Sequence, residues 1–179
     1  MNKKLSVIAL VLALMMCMTA TAFAVPSKTV QDTTDVEPAT TEDGTPIEEP
    51  IVTKSEDTAL ADEALTTIIA DIGEGKTVAD IFGGTVTADM QLNEVAQLHV
   101  ADTAVVDDIG NIKVTIVFAT QYAPDATIAV FAGLKTGDAV EWTELPASVN
   151  EDGSVSVTYT ADFLAKAKGQ DFILAVLNK

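Results

Sequence analysis

The one histidine of the chain, His99, is the side chain best suited to exchange protons near neutral pH. A lone imidazole with no cysteine or second histidine beside it cannot build a zinc centre. As a general base it would need a nucleophile and an orienting acid from distant segments. In strand register His99 shares a face with Asn93, Val95 and Gln97, and a solvated or hydrogen-bonded strand histidine is the expected role. Ser27, Ser55, Ser148 and Ser154 stand in no nucleophile-elbow context. Gly83-Gly84 has neither the lysine nor the spacing of a phosphate loop. The only cysteine, Cys17, lies within an apolar run, so no disulfide, thiol or cysteine ligand is expected in the exported chain. No catalytic and no cofactor-binding residue is assigned.

Oxygen ligands are more plentiful, and they suit calcium. Asp102, Asp107, Asp108 and Asn111 crowd one loop, and Asn150, Glu151 and Asp152 crowd another. Neither cluster has the spaced Asp-x-Asp-x-Asp-Gly pattern, and Asp and Asn favour turns without any ion. Calcium is therefore the single metal considered, with the first cluster as its candidate site. Trp142 is the candidate for stacking on a sugar, alone or with Tyr122, Tyr159, Phe131 and Phe163. Aromatics make up only 5% of the chain, so a core of this size needs most of them inside. The alternation of Trp142 with Val140 favours packing.

Charge narrows the partners. Ten basic residues, all lysine, oppose 27 acids, for a net charge of −17. That field repels polyanions, which excludes nucleic acid and disfavours anionic headgroups. Cations, basic proteins and neutral glycans remain.

The elements that would position these residues follow an export pattern. Lys3 and Lys4 precede an apolar stretch from Leu5 to Phe23 that closes on Ala22-Phe23-Ala24, the signature of a secretory signal peptide over 1–24. An uncleaved anchor is the rival, because the run is about as long as the ~20 residues that span a bilayer. Residues 25–55 carry Pro26, Pro38, Pro46 and Pro50 among Thr, Glu and Asp, and read as a disordered acidic tether. Over 56–84 a helical lead-in is expected. Ser55 would cap a helix with Leu60, Ala64, Leu65, Ile68, Ile69 and Ile72 on one face and Gly73 as its stop. A second turn follows at the Thr77/Asp80 capping-box spacing. The helices are expected to cover an edge or end of a sheet.

From residue 85 to 179 the period is two. Ile112, Val114, Ile116 and Phe118 alternate with polar or small residues, and so do Val155, Val157 and Tyr159. Further strands are expected over 127–134 and 139–145, and over 92–100, where Ala96, Leu98 and Val100 favour a strand although Leu92, Val95 and Ala96 also suit a helix. The last, 172–177, is apolar on both faces and therefore central. Asp152-Gly153 marks a hairpin turn, and residues 162–168 read as helix. Five or six short strands with turn signals between them point to an antiparallel sandwich. Its interior is expected to consume nearly all the large apolar side chains and to leave no pocket furnished for chemistry.

The runs Ile128-Ala129-Val130-Phe131, Gly137-Asp138, Glu141-Trp142-Thr143-Glu144-Leu145, Asp152-Gly153-Ser154-Val155 and Phe172-Ile173-Leu174-Ala175 resemble a small immunoglobulin-like β-sandwich module of secreted Gram-positive surface proteins. The resemblance covers residues 101–178. It implies a mainly β, non-enzymatic module and carries over no catalytic residue. The helical insertion over 162–168 departs from that pattern. The expected function is thus an exported, monomeric, non-catalytic module of the cell envelope that binds an envelope protein or glycan, or serves as a spacer. The alternatives are a carboxylate-dependent glycan-active enzyme and a calcium-stabilised structural module.

Overall fold

The computed structural model describes residues 35–104 and 110–179. In chain order the elements are β1 (Asp35–Val36), β2 (Thr40–Thr41), β3 (Val52–Lys54), α1 (Ala59–Gly73), α2 (Val78–Phe82), β4 (Gln91–Val100), β5 (Ile112–Val117), β6 (Ile128–Thr136), β7 (Ala139–Leu145), β8 (Ala147–Val149), β9 (Val155–Tyr159), α3 (Ala161–Ala167) and β10 (Asp171–Asn178). The fold is mainly β, built on two antiparallel sheets. One runs β1-β5-β9-β8, with β2 also on β5, and the other runs β3-β4-β10-β6-β7.

The period-two strands face each other as the alternation demands. Ile112, Val114 and Ile116 of β5 join Val155, Val157 and Tyr159 of β9 in one cluster with Leu98, Ala132, Phe172 and Leu174 of the second sheet. Their partners on the outside are polar, as in Lys113 and Thr115. Tyr159 and Phe172 meet edge to face at 5.7 Å, and Phe163 of α3 closes the group at 5.3 Å from Phe172. The Tyr159 hydroxyl is buried there with no hydrogen-bond partner among the described residues.

β10 is central, as its composition requires. It pairs with β4 on one side and β6 on the other. Phe172, Leu174 and Val176 face the first sheet, while Ile173, Ala175 and Leu177 face a second apolar cluster. That second cluster is made by α1, through Ala61, Ala64, Leu65 and Ile68, and by Phe82 of α2. The helices thus cover a sheet face rather than an edge or end. A strand buried on both sides needs an apolar layer over each face, and α1 supplies the one that the sandwich does not.

The segment expected to be a tether is corrected from residue 35 onward. β1 and β2 pair with β5, and β3 pairs with β4 through Val52↔Val100, Thr53↔His99 and Lys54↔Leu98. Ala39, Ile51 and Val52 are buried. Backbone hydrogen bonds to existing sheet edges, with three apolar anchors, suffice to order a chain too polar to build a core alone. Residues 25–34 of the tether, the signal pattern and Cys17 lie outside the described residues. No helix among the described residues is long and apolar enough to cross a membrane.

Candidate functional site

A groove of about 560 Å³ opens between α1, α2 and the β6–β7 hairpin. Its floor is apolar, made by Leu60, Ala64, Ile68, Ile81, Val140 and Trp142. Its rim is ionic, made by Glu63, Asp71, Asp80 and Asp138 with Lys76 and Lys135. The groove lies outside the sandwich interior, on the helix side of the sheet. The α1 layer spans only part of the outer sheet face, and the uncovered margin beside β7 becomes the floor.

Local geometry explains how Trp142 comes to lie in it. In the β6–β7 register Gly133 stands opposite Trp142, and a Cβ at Gly133 would fall 2.6 Å from both Trp142 Cζ3 and Val140 Cγ1. The missing side chain lets the indole lie across the sheet, where Phe82 packs against it at 4.8 Å. Trp142 is half-buried and belongs to the helix side of the sheet, not to the sandwich interior. The other candidate aromatics form no platform with it: Tyr122, Phe131, Tyr159 and Phe163 are all buried.

The rim charges are engaged. Lys135 Nζ lies 2.6 Å from Glu63 Oε2, and Lys76 Nζ lies 2.8 Å from Asp71 Oδ1. Asp80 completes the expected capping box of α2, accepting from the Thr77 amide at 2.8 Å while its own amide donates to Thr77 Oγ1 at 3.2 Å. The Thr77 bonds hold the Asp80 carboxyl below the usual value. A glycosidase acid needs the opposite shift. Outside the groove lining, Glu144 accepts from the Thr85 amide at 3.1 Å and also bonds the Thr85 hydroxyl, which ties the segment after α2 to β7.

His99 sits elsewhere, at the end of β4 beyond the start of α1. Its Nδ1 is 2.8 Å from Asp171 Oδ1, and 37% of its side chain is exposed. The other Asp171 oxygen accepts from Gln97 Nε2 at 2.8 Å and from Ser55 Oγ at 3.1 Å. Burial raises the Asp171 carboxyl, but the bonds from His99, Gln97 and Ser55 outweigh it and hold the group below the ordinary aspartate value. Ser55, Asp171 and His99 contain the residue types of a hydrolase triad in the wrong order. Serine and histidine both address the acid, so the imidazole is not placed to take the serine proton.

This network fastens a helix. Gln97 Oε1 accepts from the Leu60 and Ala61 amides at 2.9 and 3.1 Å, satisfying two of the N–H groups that every helix start exposes. The expected cap, Ser55, lies too early. Thr58 is the N-cap residue and makes no side-chain cap bond, whereas Ser55 Oγ accepts from the Asp57 amide at 3.3 Å. The face expected for His99 is also corrected. A register shift in the β4–β10 pairing, between Val176 and Leu177, leaves Gln97 and Val95 with His99 but turns Asn93 toward Tyr122, whose hydroxyl it reaches at 2.9 Å.

The calcium candidates do not converge. Asn111 donates to Glu42 at 2.9 Å and accepts from the Ala161 amide at 3.2 Å, at the start of α3. The Asp102 carboxylate packs against Gly169, so closely that a Cβ there would displace it. Asp107 and Asp108 lie outside the described residues. Among the described residues no group of three or more His, Cys, Asp or Glu side chains is placed to hold a metal ion. The second acidic loop is turn chemistry: Asp152 Oδ1 accepts from the Ser154 amide at 3.0 Å and its hydroxyl at 2.6 Å, and Asn150 bonds Ser154 and Ser156.

The groove lining was not legible as a site, because its parts come from residues 60–81 and 135–142, and each alone reads as an ordinary helix face or hairpin. A comparison with family models, curated proteins and solved structures finds no match for this chain.

Proposed function

We propose that this chain is an exported, non-catalytic binding module of the cell envelope, with an immunoglobulin-like sandwich as scaffold and the groove beside Trp142 as its recognition surface. One observation carries the reading. The groove is pre-formed and apolar at its floor, while all of its charged side chains but Asp138 are committed to ion pairs or a helix cap. Small-molecule and peptide sites share that design, a non-polar recess with a few fixed polar groups at the margin. Export is supported by the apolar run and Ala22-Phe23-Ala24 end of the sequence.

The test is a titration of the ¹⁵N-labelled chain with solubilised envelope fractions. Shifts confined to Ala64, Thr67, Val140 and the Trp142 indole are expected, with no release of reducing ends from cell-wall polysaccharide. Cleavage of the polysaccharide by the pure chain would remove the non-catalytic reading and favour the carboxylate-dependent enzyme.

A further inference from the structure

We infer that the groove and the outer edge of β7 together take an extended, lysine- or arginine-bearing segment of a basic protein. The inference rests on the groove being the recognition surface and adds the chemistry of what it holds. Two features of the site point the same way.

The first is charge. Four carboxylates stand on the rim against two lysines, and each lysine is already held by a rim acid, Lys135 by Glu63 and Lys76 by Asp71. No rim cation is left over to receive an anion, while Asp138 at the hairpin tip adds a further negative group. The whole chain carries −17, so the field drives cations toward the groove and anions away. A side chain with an apolar stem and a charged head matches the site in both halves, stem over Val140 and Trp142, head at the rim.

The second is the sheet edge. β7 ends its sheet, with β6 as its only strand partner among the described residues. Every second residue of such a strand turns its N–H and C=O outward. An extended segment can add there as a further strand, with alternate side chains dropping into the groove. A glycan would leave those backbone groups without the regular ladder, and it would find Trp142 as the one aromatic in the lining.

The probes are four: acetyl-(Lys-Val)₄-amide, its Glu and Ser counterparts, and a tetramer of N-acetylglucosamine, each titrated into the ¹⁵N-labelled chain. The lysine peptide should saturate, shift Thr67, Val140, the Trp142 indole and the outward amides of β7, and slow hydrogen exchange at those amides. Asp138→Lys should weaken it about tenfold. Glu48→Lys makes the same change in net charge away from the groove, and should weaken it less than about twofold in physiological salt. Equal weakening by both variants, or shifts scattered over the whole surface, would overturn the inference as mere attraction to an acidic protein. If the serine peptide or the glucosamine tetramer fills the groove and the lysine peptide does not, the groove survives as the recognition surface and the basic partner falls. If no probe moves a groove resonance, both readings fall.

Discussion

The two faces of the β3-β4-β10-β6-β7 sheet are built from the same strands and do different work. On the inner face Leu98, Phe172 and Leu174 are fully buried against a second sheet. On the outer face Ile173 and Leu177 are equally buried, but Val140 and Trp142 are only partly so. The difference lies in position as well as in the cover: Ile173 and Leu177 belong to the central strand β10, Val140 and Trp142 to the edge strand β7, whose inner-side Ala139, Glu141 and Thr143 are exposed too. Only the outer side of β7 leaves large apolar side chains partly in the open. The groove is what remains of an apolar face after an incomplete cover.

That contrast can be broken most sharply from the inside. Phe172→Ala removes a ring packed between Tyr159 and Phe163, and should cost about 3–5 kcal/mol in urea denaturation, with a lower midpoint and an unchanged slope. Gly133→Val tests the outer face. The added methyls collide with Trp142 and Val140, so the indole must leave the sheet. A loss of about 1–3 kcal/mol is expected, with a red-shifted tryptophan emission that Phe172→Ala need not produce in the folded state. Loss of stability without movement of Trp142 would mean that the indole does not depend on Gly133 for its place.

Most of the inner face could be read from the chain, because alternation records burial one residue at a time. Val114 and Val157 each sit where period two puts them. The two-sided apolar run over 172–177 marks the strand as central, but not that the helices supply its second covering layer. What escaped reading depends on partners far apart in sequence. β1–β3 are two or three residues long, too short for any period, and are ordered by edges contributed by β4 and β5. Gln97 looks like a polar strand residue until α1, 36 residues earlier at Ala61, is placed over it. The groove needs Gly133 opposite Trp142, a matter of hairpin register rather than of either residue's type.

The fastening of α1 offers a smaller effect that refines the comparison. Gln97→Ala takes the acceptor from the Leu60 and Ala61 amides and a donor from Asp171. About 1–2 kcal/mol should be lost, the range of a helix cap. The loss should come with faster hydrogen exchange at residues 60 and 61 while the amides of β5 and β9 keep their protection. Uniform loss across both faces would mean that the helix layer and the sandwich unfold as one unit rather than as a cover and a body.

The smallest effect is a pH dependence at the same place. The folded-state pKa of Asp171 is depressed, so the folded form binds its proton more weakly than the unfolded chain does. Its contribution to stability is therefore complete above the unfolded aspartate value of about 3.9 and is lost as pH falls through the folded value. The side chain is one-third exposed, which keeps the effect modest through solvent screening. Asp171→Asn should flatten the acid limb of the stability curve below about pH 4. Asp152 also has a depressed pKa, which arises from Ser154 in a surface turn. What separates them is location. Asp171 acts on the start of α1 through Gln97, so its protonation should loosen the amides of residues 60 and 61 before global unfolding. Protonating Asp152 should leave those amides unchanged. If both acids loosen the same amides, the network from Ser55 through Asp171 to Gln97 is not what holds the helix cover on the sheet.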